Sequence, residues 1–338
     1  MSRIYLDHNA TTPLRAEART AMIPAMDVLG NPSSVHAEGR AAKGLVERAR
    51  AQVAAAVGCN PAEVIFTSGA TEAASVLATV VGGVAVEPTA HDALWAHRRE
   101  GEVAVYAMGL ANGETGILTD PVAGGPRLLL DITQAVGRTP FAFGWSGADM
   151  AVLSAHKLGG PKGVGALILR DGVDGLALQR GGGQEMGRRS GTENVIGIAG
   201  FGAAIEAALR DLANGVWDRV AQLRNILEEA VEAASPDTIF IGRGAARLPN
   251  TSCFATQGWK GETQVMAMDL AGFAISAGSA CSSGKVRESR VLRAMGYASE
   301  IASSAIRVSL GPDTTEDEVL RFAQSWSDKL KRLRARAA

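Results

Sequence analysis

Ser154-Ala155-His156-Lys157-Leu158-Gly159-Gly160-Pro161-Lys162-Gly163 places a lysine just past an apolar run and inside a Gly/Pro-rich turn. Burial disfavours the charged form of lysine, so the end of an interior strand is an unusual position for one. A desolvated lysine is a good amine for a Schiff base. Read alone, the segment fits equally well a lysine whose stem snorkels its charge to solvent.

Working upstream, Leu128-Leu129-Leu130-Asp131-Ile132-Thr133-Gln134 ends a strand on an aspartate, and that strand is too apolar to expose it. A carboxylate there needs a positive partner, and a protonated ring nitrogen would also explain a lysine on a neighbouring strand. By itself Asp131 reads as a helix cap or turn former. Further upstream, Phe66-Thr67-Ser68-Gly69-Ala70-Thr71-Glu72 is a strand, a glycine turn and a helix start. Backbone N–H groups and the helix dipole make such a turn a phosphate site, with Thr71 adding a hydroxyl. An ordinary threonine N-cap is the plainer reading.

Around these segments, short β-rich runs alternate with helical stretches, the pattern of a mostly parallel sheet covered by helices. Strands are predicted at Val64-Phe66, Val103-Met108, Leu128-Asp131, Ala151-Ser154 and Val164-Leu169, and helices at Ala37-Val57, Glu72-Val81, Ile196-Leu212, Val216-Ala234 and Glu316-Arg334. Most of the strands run at their C-terminal ends into Gly, Ser, Thr or Asn, so the site belongs at that edge. After about Gly215 the runs Ile239-Gly242, Thr251-Ala255, Ala274-Ser276 and Ile306-Leu310 suggest a second, smaller α/β domain.

Composition limits the function. Thirty-four Lys and Arg stand against 35 Asp and Glu in 338 residues, so nucleic acid is not an expected partner. Lys329-Leu330-Lys331-Arg332 reads as the solvated end of a last helix. No run approaches the roughly 18 apolar residues of a membrane span, and a soluble, cytoplasmic protein is expected. Three cysteines without CxxC spacing argue against a disulfide framework and a structural zinc site. Cys59 and Cys253 read as small apolar fillers. Cys281 lies in a Ser/Gly-rich stretch near Lys285 and Arg287, which reads either as a setting that favours thiolate or as a flexible surface turn.

Further motifs join these pieces: Tyr5-Leu6-Asp7-His8-Asn9-Ala10-Thr11-Thr12-Pro13, Gly30-Asn31-Pro32-Ser33-Ser34-Val35-His36, Arg189-Ser190-Gly191-Thr192, Gly278-Ser279-Ala280-Cys281-Ser282-Ser283 and Ser304-Ala305-Ile306-Arg307-Val308-Ser309-Leu310-Gly311. In this order and over nearly the whole chain, the set resembles the cysteine desulfurases, class-V aminotransferase relatives among the fold-type I pyridoxal-phosphate enzymes. The stretch around Cys281, with Val291-Leu292-Arg293-Ala294-Met295-Gly296 after it, is similar to the subgroup with an extended cysteine loop.

The resemblance implies a large α/β domain over 14–213 with a mostly parallel sheet of the seven-stranded type. A small domain over 1–13 and 214–338 would carry the cysteine loop. It makes Lys157 the Schiff-base lysine, Asp131 the partner of the pyridine nitrogen and Gln134 a ligand of the ring oxygen. Ala70, Thr71, Ser154 and His156 would hold the phosphate, with Thr192 supplied by the neighbouring subunit of a homodimer. His91 aligns with the histidine that stacks on the ring and moves protons, though His97 is close enough to be confused with it. Arg307 matches the arginine that forks onto the substrate carboxylate, and Asn31 falls in a substrate-binding motif. Cys281 would take sulfur from L-cysteine as a persulfide and pass it to an acceptor or scaffold protein for iron-sulfur or other thio-cofactor synthesis. No resident metal is implied, although Cys281 could ligate an iron-sulfur cluster transiently. Selenocysteine lysis, another reaction on the same fold and a weakly active assembly scaffold are the alternatives. Two departures stand out: Gly113 replaces the second asparagine of Asn-Asn-Glu-Thr-Gly, and the chain is trimmed between Glu72 and Asp131.

Overall fold

The computed structural model describes residues 3–121, 124–173, 177–278 and 288–337. Its strands are β1 (Ile4–Tyr5), β2 (Val64–Thr67), β3 (Gly83–Val86), β4 (Val103–Gly109), β5 (Arg127–Asp131), β6 (Met150–Ser154), β7 (Gly165–Leu169), β8 (Ile239–Phe240), β9 (Thr251–Ala255), β10 (Phe273–Ala274), β11 (Ser276–Ala277) and β12 (Ala305–Ser309). Its α-helices are α1 (Ala16–Ala25), α2 (Ala37–Val57), α3 (Ala70–Ala74), α4 (Asp92–Trp95), α5 (Val195–Ala213), α6 (Val216–Ala234), α7 (Gly261–Leu270), α8 (Arg290–Ala294), α9 (Ser299–Ser304) and α10 (Glu316–Ala337).

Two compact units emerge. The larger comprises Thr11–Ala111 and Thr119–Ala213, and the smaller comprises Met1–Ala10, Asn112–Leu118 and Asn214–Ala338. The excursion of Asn112–Leu118 into the smaller unit was not part of the sequence expectation.

The larger unit is built on one sheet of order β2-β7-β6-β5-β4-β3. Strands β3 to β6 run parallel, whereas β7 is antiparallel to both β6 and β2. Six strands are described where a seven-stranded type was expected, and the edge strand β3 falls in the region that looked trimmed. One face is covered by α2 and α5. Ala42, Val46, Ala49, Val53 and Val57 of α2 recur at helical spacing and are buried, and Phe201 of α5 is wholly buried among them. Truncating Phe201 to alanine would cost about 3–5 kcal/mol. Gly58 ends α2 at φ 67, a left-handed cap that glycine adopts without Cβ strain. The opposite face packs Ile65, Val105, Leu129, Val152 and Leu167 under α3 and α4, with Leu77 and Leu94 filling the layer.

The predicted helix at Glu72-Val81 is instead the short α3 followed by a 3-10 helix, Ser75–Thr79. The run Thr79-Val80-Val81 is β-branched and leads into Gly82 and Gly83, so the α-helix does not propagate.

The smaller unit holds a four-stranded sheet of order β11-β12-β9-β8 and a parallel pair β1-β10. The single strand expected at Ala274-Ser276 is thus two, because Ile275 separates segments that pair with different partners. Trp326 of α10 is fully buried against Phe254 and Trp259. Among the described residues, no helix is long and apolar enough to cross a membrane.

Candidate active site

Three strand ends of the larger unit meet at one rim of its sheet. Thr67 of β2 and Ser154 of β6 both register with Gly165 of β7, and Asp131 of β5 registers with Val152 of β6. With strands about 4.8 Å apart, the 67–71 turn, Ser154–Lys157 and Asp131–Gln134 line up side by side. A Cβ on Gly165 would stand 2.6 Å from Gly69 Cα and 2.5 Å from Leu153 O. Glycine there is what lets the turn lie against β7.

The turn is held from both sides. Ser154 Oγ accepts from Ala70 N–H at 2.7 Å, so that amide is already committed to the serine hydroxyl. Glu72 accepts from Ser68 N–H at 2.7 Å and from Arg189 Nε at 2.8 Å. Burial would raise the Glu72 pKa, but these bonds outweigh it and keep the carboxyl below its ordinary value. Thr71 is exposed, and its hydroxyl makes no hydrogen bond among the described residues.

Past β6 the chain enters a 3-10 turn, Ala155–Lys157. The His156 ring nitrogen Nδ1 lies 3.1 Å from Thr11 Oγ1, and burial, followed by the charges of Lys157 and Lys162, pushes its pKa down to about 4. The imidazole is therefore neutral near pH 7. When the Thr11 hydroxyl donates to Nδ1, the imidazole proton sits on Nε2, ready for an anion. Lys157 is half-buried, and its backbone carbonyl accepts from Thr12 Oγ1 at 2.9 Å and from Arg138 Nη2 at 2.8 Å.

Arg138 also joins this turn to the next. Its Nη1 donates to Gln134 Oε1, which orients the buried amide with Nε2 as the end able to donate. Asp131 is half-buried; its Oδ1 accepts from Thr133 N–H at 2.9 Å, and its Oδ2 makes no hydrogen bond among the described residues. Arg138, Thr11 and Thr12 were not singled out in the sequence. For Arg138 the i, i+4 spacing from Gln134 was the available signal.

His91, Asn31 and Thr192 stand outside this hydrogen-bonded group. His91 caps α4, the Nδ1 of its exposed ring accepting from Ala93 N–H at 3.1 Å. His97 is half-buried, and burial, then Arg99, lowers its pKa. Asn31 Oδ1 accepts from Ser33 N–H at 2.9 Å in an exposed turn. Thr192 is exposed just before α5.

The smaller unit carries Arg307 on β12, next to Asp7 and the Gly113 carbonyl. Gly113 thus has no side chain to offer, and its carbonyl is engaged by Arg307. Asn112 Oδ1 is committed to its own turn, accepting from Glu114 and Thr115 N–H at 3.0 and 2.9 Å. Buried Asn9 donates to the same Gly113 carbonyl at 3.2 Å and to Thr251 Oγ1 at 2.8 Å, fixing that carbonyl in place.

Cys281 lies outside the described residues. The other two cysteines are poor thiolates: burial, then Glu63, pushes Cys59 up to about 12, and complete burial, then Glu114, pushes Cys253 well above its ordinary value.

The chain is similar to known proteins over nearly its whole length. A family profile described as aminotransferase class-V matches residues 4–93 and 109–322. Its break coincides with the region that looked trimmed. A cysteine desulfurase from Cereibacter sphaeroides is 38% identical over 384 aligned positions, covering 99% of this chain and 97% of that protein. Another from a Frankia strain is 39% identical over 98% of this chain and 92% of its own length. The crystal structure of a NifS-like protein from Rickettsia africae superposes with a TM-score of 0.88 at 28% identity, covering 97% of this chain and 99% of that one. The chain belongs to the class-V aminotransferase family, among its cysteine desulfurases.

Proposed function

We propose that this protein is a pyridoxal-phosphate-dependent cysteine desulfurase that converts L-cysteine to L-alanine and holds the sulfur as a persulfide on Cys281. The observation that carries the reading is the meeting of Lys157, Asp131, Gln134 and the 67–71 turn on one sheet rim. The side chains there fit the cofactor: an amine, a carboxylate oxygen without a partner among the described residues, an oriented amide and a set of phosphate donors.

Bound pyridoxal phosphate supplies an aldehyde for an amino acid's amine and a ring that accepts the charge left when the α-proton departs. Lys157 would hold that aldehyde through its amine and would carry the substrate α-proton. Asp131 would hold the ring nitrogen protonated, and Gln134 Nε2 would donate to the ring oxygen. Ser154, whose oxygen already accepts from Ala70, keeps its own proton for a phosphate oxygen, beside Thr71 and the Nε2 proton of His156. Arg307 takes the substrate carboxylate, with Asn31 in support, and His91 handles the proton of the substrate thiol. The Cys281 thiolate then attacks the substrate sulfur. The S–S bond forms as the C–S bond breaks, and the electron pair left on carbon is protonated to give the alanine methyl group.

The exposed Thr192 hydroxyl fits a two-fold homodimer in which each subunit serves the other's phosphate. The persulfide is delivered to a second protein, an acceptor or scaffold for iron-sulfur or related synthesis. The test is turnover: purified protein should be yellow, borohydride should fix the cofactor to Lys157, and L-cysteine with a thiol reductant should yield alanine and sulfide in equal amounts. A label on another lysine, or no alanine, would refute the reading.

A further inference from the structure

Arg307 already has a carboxylate beside it. Its Nη2 meets Asp7 Oδ1 at 2.7 Å, its Nη1 donates to Gly113 O at 2.9 Å, and Asp7 Oδ2 accepts from Ser276 Oγ at 2.8 Å. The two side chains are mostly buried, at 11% and 16% exposure, so the pair is poorly screened by solvent. Asp7 is also fixed by its backbone. It bridges to Ser309, with His8 N–H donating to Ser309 O at 3.1 Å and Ser309 N–H to Leu6 O at 2.8 Å, next to Arg307 on β12. One donor remains: Arg307 Nε is buried and has no hydrogen-bond partner among the described residues.

We propose that Asp7 is a resident competitor for Arg307, which limits how tightly the site grips an amino-acid carboxylate and so speeds release of the product. The inference rests on the reading of Arg307 as the substrate-carboxylate ligand. Cysteine and alanine carry the same carboxylate, so a stronger grip there binds both alike and does nothing for the chemical step. A bare guanidinium in a buried site would bind any carboxylate through charge-assisted bonds and hold the alanine produced. With Asp7 in place, the cation is neutralised in the free enzyme, and an incoming carboxylate gains the spare Nε donor but must win Nη2 from a fixed anion. When product leaves, Asp7 closes the ion pair again.

The two roles of Asp7, competitor and mere prop, predict opposite signs. In Asp7→Asn, which keeps the shape and removes the charge, L-alanine measured by calorimetry on the cofactor-loaded enzyme should bind about 10-fold tighter, roughly one decade of affinity. The KM for cysteine should fall with it, and kcat should fall as release slows. Alanine bound equally or more weakly would overturn the proposal. Should that variant not fold, a crystal structure of the wild-type enzyme with bound alanine decides. The alanine carboxylate should sit on Arg307 with the Asp7–Nη2 contact lengthened beyond hydrogen-bond reach. The carboxylate on Arg307 with the 2.7 Å contact intact would sink the competition alone, whereas a carboxylate bound elsewhere would sink the reading of Arg307 itself.

Discussion

Ser154 Oγ accepts the N–H of Ala70 at 2.7 Å, so one buried hydroxyl ties the end of β6 to the first residue of α3. Ser154→Ala leaves that amide without its acceptor and, if Ser154 serves the phosphate as proposed, removes a donor from it. A buried unsatisfied amide costs about 1–3 kcal/mol, and the turn is then held mainly by Glu72. The cofactor dissociation constant, measured by fluorescence titration of apo-protein, should rise by about tenfold or more. An unchanged constant would remove Ser154 from the phosphate site.

His156 sets an acid limit on stability. Its pKa is about 4 in the folded chain against 6.5 as the ordinary value. Between those values the unfolded chain binds more protons than the folded one. The stability that neutral His156 contributes is therefore complete above about pH 6.5 and lost as pH falls toward 4. Urea unfolding of apo-protein should show this decline, and His156→Gln should flatten it. A decline as steep in the variant would assign the acid sensitivity to other groups.

Arg50 and Glu185 form a buried, two-pronged ion pair at 2.7 and 2.9 Å, and Glu185 also accepts from Phe66 N–H at 2.9 Å. That grip holds the segment leading to Thr192 in a left-handed bend, with Glu185 at φ 47 and Met186 at φ 57. Glu185→Gln leaves buried Arg50 with the exposed Glu47, 3.2 Å from its Nε, as its counter-ion among the described residues and should cost about 3–5 kcal/mol in urea unfolding. Met186 is exposed, so Met186→Gly relieves its left-handed strain at the expense of unfolded-state entropy and should change stability by less than about 1 kcal/mol. The opposite ranking would place the strain, not the ion pair, at the centre of this bend.

These partners show where sequence reading stops. Helix α2 was read with its observed bounds because apolar residues from Ala42 to Val57 keep one period and Gly58 ends it. Lys157 and Asp131 stood out because each is a charged residue beside an apolar run, Asp131 closing β5 and Lys157 in the turn just past β6. Strand β3 was missed, since Gly83-Val84-Ala85-Val86 is too short to show alternation, and α1 was missed with Pro24 inside its last turn. Asp7 and Ser276 carry no local signal of their roles, whereas Arg138 had its i, i+4 spacing from Gln134. What each does depends on strands that meet only after folding, such as Ser276 against Arg307 across β11 and β12.

The cysteines allow the sharpest separation of chemistry from packing. Attack on sulfur needs a thiolate. Cys59, pushed up to about 12 and with its Sγ 3.5 Å from Asn60 O, is almost wholly protonated at neutral pH, and Cys253 is wholly buried within β9. Neither can compete with a thiol in a polar, electropositive stretch such as the one around Cys281. After one turnover with cysteine, intact mass should rise by one sulfur atom, and digestion should place it on the Cys281 peptide. Cys281→Ser should still bind cysteine and change the cofactor's colour, because Lys157 and Arg307 are untouched. It should release alanine at least about a hundredfold more slowly, since a serine hydroxyl stays protonated and attacks sulfur poorly. Cys59→Ser should leave turnover unchanged, and Cys253→Ser should lower stability through a hydroxyl buried in an apolar cluster. Sulfur found on Cys59 or Cys253, or full alanine release by Cys281→Ser, would break the assignment of the nucleophile while leaving the Lys157 rim intact.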